Sequence, residues 1–446
     1  MTDRKKVLII GAAGRDFHNF NCVFRDKEQF EVICFTAQQI PKIEGRTYPP
    51  SLAGKLYPEG IPIFPEIKLE ELIKKHKIDT CYLSYSDLNH LDVMDLGSRV
   101  LSAGSNFELI APKDTMIKSK KPVVAVVAVR TGCGKSQTSR YVAKMLREAG
   151  LTPVVIRHPM PYGDLEKQTW QRFGCYEDLE KHKVTIEERE EYEMHIKFGT
   201  IVYAGVDYFQ ILEQAEKEAD VILWDGGNND TPFYLPDLFI TIADPLRVGH
   251  ELTYYPGALN IRMASVIVIN KANTATKEQL TQLKKNIAKV NPEAIVIVGA
   301  SKVVAKNPEN IKGKKVLLIE DGPTLTHGEM TFGAAKVAAD QEGALEIIDP
   351  KPYLVGSLID VFKKYSHVSG FLPAMGYWDE QIQDLEKTIN AVPCDSVVIG
   401  TPMDLTTLIN IEKPTSFVEY DLVDMDGELS LSTYVTKFIK EFCKKN

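Results

Sequence analysis

Val123-Val-Ala-Val-Val-Ala-Val-Arg-Thr-Gly-Cys-Gly-Lys-Ser136 runs from an unbroken apolar segment straight into two glycines, a lysine and a serine. A helical pattern follows from Gln137 to Ala149. Strand, glycine loop, Lys-Ser and helix make the layout of a loop that holds phosphate. Gly132 and Gly134 lack a Cβ, so successive backbone N–H groups can curl inward and face an anion. The helix that begins near Lys135 adds its unpaired N–H groups and the positive end of its dipole. Lys135 is placed to reach the β- and γ-phosphates of a nucleotide, and the Ser136 hydroxyl to ligate Mg²⁺. With the Cys133 backbone and Gln137 these residues make the expected nucleotide site.

The usual spacing asks for glycine where this chain has Val129. The shorter string Arg130-Thr-Gly-Cys-Gly-Lys-Ser136 is similar to the loop of the deviant Walker subclass of P-loop proteins. In that subclass a basic residue heads the loop and reaches phosphate across a homodimer, and Arg130 sits at that place. The sequence downstream supplies a partner, Ala219-Asp-Val-Ile-Leu-Trp-Asp-Gly-Gly-Asn-Asn-Asp230. An apolar strand there ends in Asp225, where an acid can hold Mg²⁺ or its waters. Val266-Ile-Val-Ile-Asn-Lys-Ala-Asn273 resembles the N-K-x-D motif that reads guanine. Asn270 would brace the phosphate loop and Lys271 would lie against the base. Asn273, with one acceptor oxygen where guanine offers two donors, favours ATP over the alternative, GTP.

Around this centre, short β-branched runs alternate with helical patterns: Val7–Ile10, Phe30–Cys34, Val221–Trp224, Val266–Ile269, Ile295–Val298 and Val316–Ile319. Continuous apolar strands are covered on both faces, as in parallel sheets with crossover helices. The class is α/β. A polar, lysine-rich stretch from Pro112 to Lys121 and a softer one from Lys306 to Lys315 divide the chain. The expectation is a Rossmann-like N-terminal domain (1–119), a P-loop domain with a mostly parallel sheet (120–315) and a C-terminal α/β domain (316–446). Val316–Ile319 could close the central sheet or open the third domain.

The chain has 446 residues and a formal net charge of -8, which argues against bulk nucleic-acid binding. No apolar run reaches the roughly 18–20 residues of a membrane helix. Met1-Thr-Asp-Arg-Lys-Lys leads directly into a strand-like run without a secretory core. The seven cysteines are scattered and lack a C-x-x-C pair, as reduced cytosolic thiols do. A cytoplasmic enzyme is expected. Val7-Leu-Ile-Ile-Gly-Ala-Ala-Gly-Arg-Asp16 opens like a Rossmann unit, but Ala13 breaks the dinucleotide fingerprint and strand 30–34 ends without the ribose-binding acid. NAD is therefore not expected. Tyr82, Tyr85, Ser86, Asp87 and His90 read as domain-edge surface.

The third region carries Glu320-Asp-Gly-Pro-Thr-Leu-Thr-His-Gly328, a strand-to-helix loop crowded with polar side chains, and Gly400-Thr-Pro-Met-Asp-Leu405 after another apolar strand. Asp321, Thr324 and Thr326 are substrate candidates there, and His327 a proton donor or phosphate ligand. Thr401 and Asp404 could face the same cleft. Taken with Arg130–Ser136 and Trp224–Asp230, in this order, the four strings resemble the cyclic 2,3-diphosphoglycerate synthetase-like family, whose members are also described as predicted GTPases. The likeness spans most of the chain. It implies an ATP-dependent ligase that closes a phosphoanhydride ring in 2,3-bisphosphoglycerate, releasing ADP and phosphate. Lys135, Arg130, Asp225 and His327 would then be catalytic. A substrate so anionic needs a cationic pocket, for which Arg157, His158, Arg247 and His250 stand at the right sheet edge. A regulatory or metallocentre-assembly GTPase, and a nucleotide sensor without turnover, are the alternatives.

Overall fold

The computed structural model describes residues 4–12, 14–38, 45–158, 163–326, 328–365, 367–376, 379–425 and 429–443. Ala13 and His327 lie outside the described residues, so the proton-transfer role expected of His327 has no geometry to set beside it.

Strand Val123–Ala128 is the hub. All six residues are buried, and they divide by parity: Val124, Val126 and Ala128 enter one core, Val123, Ala125 and Val127 another. A strand turns successive side chains to opposite faces, so an unbroken apolar run must be covered on both. Its parallel neighbours are Val221–Asp225 and Leu238–Ala243. The phosphate loop therefore emerges beside the ends of both, at the C-terminal edge where open α/β sheets bind ligands.

The N-terminal unit is a six-stranded sheet with Lys5–Ile10 between Phe30–Ala37 and Thr80–Leu83, all parallel. Two residues from each unit link it to the central one, Leu88–Asn89 pairing antiparallel with Tyr254–Tyr255. The buried ion pair of Arg15 with Asp230 (2.8 Å) and the stacking of His18 on Phe233 (3.9 Å) complete that contact.

The other two units are less separable than the polar stretch at 306–315 suggests. A single sheet of thirteen strands runs through both, joined where Ile295–Ala305 pairs antiparallel with Thr415–Asp424. Val316–Ile319 belongs to the third unit, because strand Lys315–Asp321 pairs with Ser396–Gly400. The last helix, Leu431–Phe442, returns to the central core, where Leu431, Val435 and Phe438 pack with Val142 and Leu146. The apolar face of this last helix is thus covered by the central unit and not by the strands that precede it in sequence. No helix among the described residues is long and apolar enough to cross a membrane.

Candidate active site

Gly132 and Gly134 both have φ in the left-handed region, +78° and +103°. A Cβ at Gly134 would stand 1.9 Å from Asn270 Nδ2, so glycine is required there by space as well as by backbone. Asn270 Nδ2 donates to the Cys133 carbonyl (3.0 Å), which braces the loop. Lys271 does the same from its Nζ, donating to the Gly132 carbonyl (2.6 Å) and pairing with Asp244 (3.0 Å). Its ammonium is thus tied to the loop. Arg247 is bound to Asp244, Cys133 Sγ and the Gly328 carbonyl, so it fastens the loop from beneath.

Arg130 is 1% exposed and faces inward. Its Nε donates to Asp87 (2.6 Å), Nη2 to Glu329 (3.3 Å) and Nη1 to His250 Nδ1 (2.8 Å), with the Tyr254 ring 3.6 Å away. His250 accepts because it is neutral: burial and then Arg130 push its pKa down. Asp87 also takes the Thr131 amide (3.2 Å) and hydroxyl (2.7 Å). The N-terminal unit therefore holds the head of the phosphate loop, and the residue read as domain-edge surface is part of the site.

Lys135 Nζ donates to Asp225 Oδ1 (2.8 Å). The other oxygen of Asp225 meets Arg157 (2.6 Å) and His195 (3.1 Å). Burial alone would raise the Asp225 pKa, but Arg157, Lys135 and His195 outweigh it and hold the carboxyl well below the usual aspartate range. Burial, reinforced by Arg157 and opposed by Asp225, pushes the Lys135 ammonium down to about 8. This knot sits where a polyphosphate would draw Lys135 off Asp225. Ser136 lines the same cleft at the head of helix Lys135–Glu148. The Ser136 hydroxyl and the Asp225 carboxylate, which ends the strand beside the loop, are oxygen donors of the kind that suit magnesium.

Across the cleft from the loop stands the third unit. A Cβ on Gly132 would meet Thr324 Cγ2 at 3.0 Å. Asp321, Thr324 and Gly400 of that unit line the cleft, as do Glu187 and Glu191 of helix Ile186–Lys197. Thr324 donates to Asp321, and Thr401 to Glu190. Glu320 is committed to structure: it accepts the amides of Gly333, Ala335 and Lys336 and caps helix Ala334–Glu342. Asp404 caps its own short turn through Thr406, and Thr326 bonds the Gly322 carbonyl. Arg157 and His158 line the cleft, paired with Asp225 and Glu191 and with Asp230 respectively. Among the described residues Arg247, His250 and Thr326 support the cleft without lining it.

The acids were the unexpected part. Ile186-Glu-Glu-Arg-Glu-Glu-Tyr-Glu193 looks in sequence like a solvated helix face, yet Glu187, Glu188, Glu190 and Glu193 are buried in helix Ile186–Lys197. Its absence of a clean 3.6-residue apolar stripe was the available signal.

Asn273 is not placed to read a base. Its Nδ2 donates to the Ser301 carbonyl (3.1 Å) and its Oδ1 accepts from the Ser301 amide (3.1 Å), so the side-chain amide is spent on the neighbouring strand. Asn273→Asp is accordingly expected to leave the ratio of ATP to GTP affinity unchanged. Titrating both nucleotides against the variant checks this, and a shift toward GTP would return the base-reading role to Asn273.

No protein-family model matches the chain. It is 58% identical over 442 residues to arginine synthetase ArcE of Thermococcus kodakarensis, covering 99% of this chain and 98% of that protein. It is 24% identical over 265 residues to a cyclic 2,3-diphosphoglycerate synthetase of Thermococcus sibiricus, covering 55% and 59% of the two chains. Among solved structures, LpxK from Aquifex aeolicus in complex with ATP aligns at a TM-score of 0.42 and 15% identity, over 74% of this chain and 91% of that one. The α/β sheet, the loop and the likeness to named synthetases define an ATP-dependent P-loop enzyme of the synthetase class. The chain belongs to the arginine synthetase ArcE family, with the cyclic 2,3-diphosphoglycerate synthetases as distant relatives.

Proposed function

We propose that the enzyme makes arginine, using ATP to exchange the ureido oxygen of citrulline for nitrogen from ammonium. The observation that carries arginine as the product is the 58% identity over 99% of the chain to a protein named for making it. Citrulline and ammonium follow from chemistry, since a ureido oxygen exchanged for nitrogen is a guanidinium. The cleft agrees with it, since Lys135 and the loop suit phosphate while Asp321 and Glu187 suit a guanidinium product. A polyanion such as 2,3-bisphosphoglycerate would meet Asp321 and Glu187 in the same cleft, which makes ring closure the poorer reading.

Loop residues 130–136 present their amides to the β- and γ-phosphates, and Lys135 moves from Asp225 to the γ-phosphate. Magnesium, held by Ser136 and Asp225, would neutralise charge on the phosphates. The ureido oxygen attacks the γ-phosphorus and ADP departs, which turns a poor leaving group into phosphate. Nitrogen then adds to the ureido carbon and phosphate leaves. The chain's contribution is positioning and charge neutralisation, with Asp321 and Glu187 balancing the positive charge that develops on the carbon.

The purified enzyme incubated with ATP, magnesium, citrulline and ammonium chloride is expected to form arginine and ADP in equal amounts, measured by chromatography. Formation of ADP with 2,3-bisphosphoglycerate, and none with citrulline, would overturn the assignment.

A further inference from the structure

Glu190 is 6% exposed, and among the described residues no N–H or hydroxyl reaches its Oε2. Its other oxygen accepts from Thr401. The Glu190 and Asp321 carboxyls act on one another directly, and two buried carboxyls this close hold a proton between them. Asp321 lines the cleft, and Glu190 stands behind it. Neither the phosphate loop nor helix capping uses this pair.

We propose that Asp321 and Glu190 form the amine site of the second half-reaction, Asp321 facing the incoming ammonium and taking one of its protons while Glu190 shares that proton from behind. This rests on the arginine-forming reading. Ammonium has no lone pair and cannot attack until it loses a proton. A buried carboxyl pair with one proton keeps one negative charge, which holds the cation and then accepts from it. The freed nitrogen lone pair forms the C–N bond, and the C–O bond breaks with its electron pair leaving on phosphate. Of the three hydrogens remaining on that nitrogen, one goes to the departing phosphate and two stay on the guanidinium. The proton on the carboxyl pair passes to water when the products leave.

The surroundings favour a proton-accepting pair. Burial first, and then the facing carboxylates, push the Glu190 pKa well up, and burial raises Asp321 as well. Glu187 and Glu320 face the pair with like charge, Lys271 acts on Asp321 from the loop side, and the Tyr420 ring joins the cleft with Arg140 beyond it. Asp321 is the catalytic group of the pair because it borders the substrate space, and Glu190 is a positioning residue.

Hydroxylamine separates the roles, because it is uncharged near neutral pH and attacks without prior deprotonation. Glu190→Gln and Asp321→Asn are each expected to lower ammonium-supported arginine formation by about 100-fold or more, the low end of what a proton acceptor contributes. Hydroxylamine-supported formation of the N-hydroxyguanidine should stay within a few-fold of wild type. Equal losses with both nucleophiles in folded protein, or an undiminished ammonium rate, would overturn the proposal. Should one variant not fold, as judged by thermal melting, the other decides. Wild-type enzyme that forms no arginine would overturn the parent reading and this one with it; wild-type enzyme that forms arginine leaves the variants to judge the amine site alone.

Discussion

Lys135→Ala is expected to lower ATP turnover by roughly 1,000-fold or more while the protein stays folded. The ammonium's residue opens helix Lys135–Glu148 directly after Gly134, whose backbone and surroundings leave no room for a side chain, and its partner is Asp225 at 2.8 Å. Burial has pushed it down to about 8, so near neutral pH it stays charged but is only modestly stabilised by what surrounds it. A polyphosphate offers more negative charge than one carboxylate already shared with Arg157 and His195, so Lys135 transfers to the nucleotide when the nucleotide arrives. Alanine removes that charge and leaves Asp225 with the Arg157 guanidinium and the His195 ring as partners, which is why folding should survive. Phosphate release assayed alongside a denaturant melt tests both halves of the statement. Retained turnover would mean that another cation, such as Arg130 or Arg157, neutralises the γ-phosphate.

The loop, its strand and its helix were legible because each depends on local chemistry. Apolar parity at 123–128 requires cover on both faces, Gly132 and Gly134 require positive φ, and Asp225 ends a strand adjacent to the loop. Asn270 was readable as a brace for the same reason. What was not legible comes from side chains that meet across the units. Asp87 lies 44 positions from Thr131 and reaches it because the N-terminal unit docks on the central one, through the pairing of Leu88–Asn89 with Tyr254–Tyr255 among other contacts. Glu190 lies 211 positions from Thr401. The glutamates at 187–193 offer only the missing apolar stripe as a signal, and contacts with the third unit, such as Thr401 on Glu190, help to place them inside. Arg130, read at the head of the loop as a residue that could reach across a dimer, has its guanidinium bonded to Asp87, Glu329 and His250 within the chain.

Asp225→Asn should cost about 3–5 kcal/mol of folding stability and lose most activity, since it leaves Arg157 and Lys135 buried beside a neutral amide. An asparagine supplies one acceptor oxygen and turns two N–H donors toward cations that already donate. The pH dependence gives the stricter test. The Asp225 pKa is lowered on folding, because Arg157, Lys135 and His195 prevail over burial. A carboxyl of this kind contributes its full stabilisation above its unfolded value, about 4, and the contribution drains away as pH falls through the lower folded value. The gap in stability between wild type and Asp225→Asn should therefore be constant from pH 7 down to about 5 and narrow below about 4, measured as the difference in urea midpoints. A gap that persists unchanged to the acid end of the titration would mean that the amide fails by shape and not by charge. In that case Lys135, Arg157 and His195 are held around Asp225 by packing, and the picture of Lys135 released by a competing polyphosphate would have to be given up.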